Sequence, residues 1–160
     1  MELAYCIDAA EEFGRIIWPY RKDISILDLM LFGSTADKKQ NPSDVDVLII
    51  HTSPKLDRFY ERDKKKEFKS SSEALKALDS IFGLNLPKLF KSTKVEYLIE
   101  RGLFHTAYIQ DRYFRDTAYK INWDELNENP NFLKNIISQG VLWNPKTEKY
   151  DIKASTKYRI

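Results

Sequence analysis

Leu31 to Ile50 read LFGSTADKKQNPSDVDVLII, and the reading of this stretch decides the fold. Residues 25–32 form an apolar run whose length and flanks predict a buried strand, stopping at Phe32-Gly33-Ser34. Asn41-Pro42-Ser43 is a turn signal. Asp44 to His51 is then β-branched and apolar, and predicts a second strand. Asp44 and Asp46 stand two apart, so the pleat puts both on one face of that strand, roughly 7 Å apart along it. Leu48 and Ile50 continue the same face and look core-directed. A charged pair there is costly unless a metal or a partner cation compensates it. Hard oxygen ligands of this kind suit Mg²⁺, and two ions roughly 4 Å apart can activate an attacking oxygen and stabilise a leaving one. Gly33 permits a tight turn and close ligand approach, and Ser34 adds a hydroxyl and an N–H. If a helix starts there, its N-terminus favours a phosphate.

Before this stretch, Leu3, Cys6, Ile7, Ala10, Phe13, Ile17 and Tyr20 recur at spacings of three and four, which predicts an amphipathic helix over residues 3–20. After it, residues 54–69 are highly charged and read as a solvated loop or helix start. Ser70 to Glu73 fits a capping box, opening a helix that Gly83 ends. Residues 94–99, KVEYLI, read as a third strand, and residues 103–119 as roughly helical. Asn129-Pro130 predicts a helix start, with Gly140 as its terminator. Val141–Trp143 and Tyr150–Lys153 read as short strands joined at Asn144-Pro145-Lys146, and the polar residues from Ala154 to Ile160 are expected to fray.

The chain has 160 residues, with 26 Lys and Arg against 24 Asp and Glu, a formal charge of +2 that says little about partners. Its length fits about one domain of roughly 100–200 residues. No internal repeat or linker divides it, so residues 1–160 are expected to form one domain of mixed helices and strands. The single Cys6 lies on the apolar stripe, which argues for a buried hydrophobe and against a disulfide-stapled secreted domain. No apolar run of about 18 residues is present and no signal-peptide pattern is seen, so a cytoplasmic protein without a membrane span is expected.

The order strand, Gly-Ser, spacer, Asp-x-Asp, strand resembles the nucleotidyltransferase superfamily that includes DNA polymerase beta, and most closely its small stand-alone minimal nucleotidyltransferases. The resemblance covers Leu31–Ile50 and extends more weakly over residues 1–143, leaving 144–160 as a carboxy-terminal extension. It implies an α+β fold, a small mixed sheet flanked by helices. It also implies that Gly33 and Ser34 hold the triphosphate of an NTP such as ATP, and that Asp44 and Asp46 bind catalytic Mg²⁺, two ions in all. The family's third carboxylate sits on a later strand, where Glu96 is the best match, as metal ligand and general base. Lys38 or Lys39 is the candidate phosphate cation, against the plainer reading of a solvated loop lysine. The implied reaction moves a nucleoside monophosphate to a hydroxyl. Minimal nucleotidyltransferases often act beside a helical HEPN-type partner in toxin–antitoxin pairs, where a partner tyrosine can accept the nucleotide; a small molecule such as an aminoglycoside, or an RNA end, is the alternative acceptor.

Two other readings stand beside this one. The first is a non-catalytic binding module that keeps the fold and works through protein contact. The second is a nucleic-acid binder using Lys64-Lys65-Lys66 with Phe59, Tyr60 and Phe68. The interspersed acids Asp57, Glu61, Asp63 and Glu67 favour a solvated face over that patch. His51 and His105 lack partners at zinc-ligand spacing.

Overall fold

The computed structural model describes residues 2–38, 40, 42, 45–55, 76, 79–98, 104–108, 120–121 and 132–158. Helix α1 spans Leu3–Ile17 and buries Cys6, Ala9, Ala10, Phe13 and Ile17, a stripe at helical spacing. It tightens into a 3₁₀ turn at Trp18–Tyr20, where Pro19 has no N–H to continue the ladder. Gly14 stands in the last turn of α1 because a Cβ there would lie 2.6 Å from the indole of Trp143. Glycine costs helix propensity, and here it lets the helix axis settle directly onto the aromatic ring.

Strand β1 (Ile26–Phe32) runs into the one-turn helix α2 (Gly33–Ala36), and β2 is Asp46–His51. The chain continues through a helical stretch at residues 79–82, α3 (Leu86–Leu89) and α4 (Lys94–Leu98). Then come β3 (Phe104–Tyr108), β4 (Lys120–Ile121), α5 (Phe132–Gln139), β5 (Val141–Asn144) and β6 (Lys149–Lys153). The strands form one mixed sheet in the order β4-β3-β2-β1-β5-β6. The β2–β3 pair is parallel and the other pairs are antiparallel. This is the α+β architecture expected from the sequence, and the two strands around Gly33 and Asp46 are its centre.

Each face of the sheet carries its own core. On one, Leu29, Leu31, Val47 and Ile49 pack with Phe13, Ile17, Phe82, Phe90, Val95 and Trp143. On the other, Met30, Phe32, Leu48 and Ile50 pack with Ile136, Ile137, Leu142 and Tyr158. In β1 the alternation is broken where the register shifts between Ile26 and Asp28. Leu27 is thereby left exposed, Ile26 turns to the first core, and Asp28 takes a place on the second face.

Three local readings are corrected. Residues 94–98 are helical, because Thr93 and Glu96 form a capping arrangement: Thr93 Oγ1 accepts the Glu96 N–H at 3.4 Å, and Glu96 Oε2 accepts the Ser92 N–H at 2.7 Å. Residues 104–108 lie in a strand where a helix was expected, because they pair with β2. The residues after Lys153 do not fray through Tyr158. A 3₁₀ turn at Ala154–Thr156 brings Tyr158 to 2% exposure, its hydroxyl donating to Asp28. The helix at 79–82 ends at Gly83 as read, and Asp79 Oδ1 secures the exit by accepting the N–H groups of Leu84 and Leu86. The charged stretch from residue 56 and the capping box at Ser70–Glu73 lie outside the described residues.

Candidate active site

The chain reverses between β1 and β2 at a place built by two residues of the Leu31–Ile50 stretch. Gly33 follows the strand with φ +74, a region open to glycine and strained for other residues. Asp46, the first residue of β2, pairs in register with Phe32. Its carboxylate lies over Gly33: Oδ2 is 2.7 Å from where a Cβ at residue 33 would stand. The glycine therefore makes the space that the acid occupies. Ser34 is half-buried in the single helical turn that follows, and Thr35 is buried. The turn closes with the Asp37 N–H donating to Gly33 O at 3.0 Å and the Lys38 N–H to Thr35 O at 3.1 Å. Lys38 is exposed, with φ 55.

Asp46 is intermediate in exposure, whereas Val47, Leu48, Ile49 and Ile50 behind it are buried. The strand thus delivers its carboxylate to the rim of the sheet and anchors it with four buried apolar residues. A hard, partly solvated oxygen donor beside a cleared glycine fits a divalent cation with bound phosphate oxygens. Asp44 lies outside the described residues. Among the described residues, no three His, Cys, Asp or Glu come together in a group that could hold a metal.

Glu96 is not brought to this rim. Its helix α4 packs against α1, and its neighbour Val95 belongs to the core on the Val47 and Ile49 face. Asp46 shares the opposite face with Leu48 and Ile50. The Thr93-x-x-Glu96 capping pattern was the sequence signal for this placement. The strand that does lie beside β2 in parallel is β3.

Three buried titratable groups belong to the scaffold. Burial pushes His51 down to about 4, and the Ser53 N–H donates to its Nδ1 at 3.1 Å. Asp28 is raised by burial, opposed by Lys157, whose Nζ stands 2.7 Å from Oδ2. Tyr150, buried with its hydroxyl donating to Ala10 O at 2.9 Å, is likewise pushed up by burial.

A family model, the nucleotidyltransferase domain, matches residues 15–109, more than half of the 160. The match takes in β1, the Gly33 turn, β2 and β3, and the chain belongs to this family. That membership places it in the class of proteins that transfer nucleotidyl groups. Searches of curated proteins and of solved structures find no match to the chain. No helix among the described residues is long and apolar enough to cross a membrane.

Proposed function

We propose that this protein moves a nucleoside monophosphate from an NTP to an acceptor hydroxyl, at the rim formed by Gly33, Ser34 and Asp46. The observation that supports the reading most is the Asp46 carboxylate lodged over Gly33, in a chain that belongs to the nucleotidyltransferase family. Asp44 and Asp46 would hold divalent metal, Mg²⁺ in the simplest case. When bound, the metal neutralises the triphosphate and stabilises the leaving pyrophosphate. The backbone of Gly33 and the hydroxyl of Ser34 position the triphosphate beside the acids, and Lys38 adds positive charge from the adjoining turn. The buried remainder of β2 keeps Asp46 in place, so that little reorganisation is needed when substrate arrives.

The acceptor is read as a hydroxyl on a partner protein, a tyrosine of a HEPN-type helical partner in a toxin–antitoxin pair. Resemblance to minimal nucleotidyltransferases is what supports this finer step.

Calorimetric titration of ATP, GTP, CTP and UTP with Mg²⁺ tests the site. Metal-dependent binding of a nucleotide by the wild type, lost in Asp46→Asn with an unchanged melting temperature, is the expected result. Binding that survives the substitution would remove Asp46 from the reading.

A further inference from the structure

The phosphate seat proposed above is a single turn of helix, Gly33–Ala36, and a single turn does not hold itself. Forming a first turn fixes several backbone angles for very few hydrogen bonds, and a glycine adds freedom to be lost. The turn therefore depends on what it packs against. It touches β1 and β2, and also α1 and α5, helices whose buried residues lie in the first and second cores respectively. Its buried residue is Thr35, at 1% exposure, between the half-buried Ser34 and Ala36. Valine has nearly the same shape, so packing alone does not account for a hydroxyl here. A buried hydroxyl is costly unless it is hydrogen-bonded. That of Thr35 is not one of the buried polar atoms left without a partner, so it is bonded inside the protein. Apolar contact is non-directional, whereas a hydrogen bond fixes an angle. The branched Cβ leaves Thr35 few rotamers, so that angle is passed on to the backbone of the turn.

We propose that Thr35 is a positioning residue: its enclosed hydroxyl fixes the rotation of the Gly33–Ala36 turn and thereby aims Ser34 and the Gly33 backbone at the triphosphate. The inference rests on the reading of Gly33 and Ser34 as the triphosphate seat given under Proposed function. Thr35 itself does not touch substrate. Its effect falls on the affinity for phosphates and is the same whatever base the nucleotide carries.

Two substitutions separate the hydroxyl from the rest of the side chain. Thr35→Ser keeps the oxygen and loses the methyl, whereas Thr35→Val keeps the shape and loses the oxygen. Both are expected to fold, melting within about 5 °C of wild type. Calorimetry then follows ATP, GTP, CTP, UTP and inorganic tripolyphosphate, each with Mg²⁺. Thr35→Val is expected to weaken the nucleotides that the wild type binds, and tripolyphosphate with them, by a common factor of about 10. Thr35→Ser is expected to stay within about 3-fold of wild type for both kinds of ligand. A residue that only fills space would give equal losses or the opposite order, since serine leaves the larger cavity, and either result overturns the inference. So does a loss for nucleotides that tripolyphosphate does not share, or wild-type affinity in Thr35→Val. In those cases binding that Asp46→Asn still abolishes leaves the reading of the site intact. Absence of Mg²⁺-dependent nucleotide binding by the wild type overturns both.

Discussion

Asp28 and Asp46 are two carboxylates on one face of one sheet, on strands that pair directly, and their surroundings differ in nearly every respect. Asp28 is 5% exposed and accepts from Lys157 and Tyr158. Asp46 reaches the rim, where Gly33 clears space over its oxygen. The first is enclosed by the chain's own donors. The second stands partly exposed at the start of its strand and is supported from behind by buried residues. On the reading proposed above, the same residue type at equivalent positions of a pleat serves cohesion in one place and chemistry in the other.

Substitution should separate the two. The largest effect is expected from Asp46→Asn: nucleotidyl transfer, or metal-dependent NTP binding, should fall about 100-fold or more, with a melting temperature close to wild type. Enzyme assay beside calorimetry reads both. A folded variant with full transfer would erase the distinction between the carboxylates.

The enclosed half of the molecule should respond to acid. His51 has a folded pKa of about 4 against 6.5 when unperturbed, so the unfolded chain binds its proton first as pH falls. The stability held by the neutral ring is full above 6.5 and is lost on the way down to about 4. Its total is about 3 kcal/mol at 1.36 kcal/mol per pH unit. Urea denaturation across that range should show this slope, and His51→Gln should flatten it. Asp28 acts with the opposite sign. Its folded pKa is raised from 3.8, so the unfolded chain releases that proton first. Its contribution to stability declines as pH rises through the window above 3.8. Asp28→Asn in the His51→Gln background should remove that decline, which isolates the buried acid from the buried base.

Asp28→Ala leaves the Tyr158 hydroxyl without its acceptor inside the core. It should cost about 2 kcal/mol in urea denaturation, while transfer per folded molecule stays at the wild-type level. Loss of transfer in a folded Asp28→Ala protein would show that the two acids are coupled. The smallest change, Gly33→Ala, should cost about 1–2 kcal/mol of stability from its positive φ. Because the new methyl meets Asp46 Oδ2, nucleotide binding should weaken as well, so this variant alone is expected to score in both assays.

What the sequence disclosed follows the range of the forces involved. The Gly33 turn and the strand behind Asp46 were legible because strand, turn and strand lie within one short stretch. The stripe of α1 and the β5–β6 hairpin were legible for the same reason. Lys94–Leu98 was misread because the polar–apolar alternation Lys94-Val95-Glu96-Tyr97 suits a strand, and the Thr93–Glu96 cap that decides for a helix was passed over. Phe104–Tyr108 was misread because aromatic spacing suggested a helix while pairing with β2 fixes a strand. Within the candidate site, the structure brings Asp46 beside Gly33, and Glu96, read on a strand, lies in a helix. The burial of Thr35 depends on which elements close around its turn, and no local pattern records that.

Tyr158 reaches across 130 residues to Asp28, and Lys157 across 129. Closing so long a loop has an entropic cost that nearby contacts do not offset until the segment docks. This side of β1 therefore stays uncovered while most of the chain is being synthesised, and its apolar residues are available to other surfaces in that interval. Contacts this remote in sequence also slow the final search for the native arrangement. The clasp that secures this side of the sheet therefore cannot form until residues 154–158 have followed β1 by more than a hundred residues of chain.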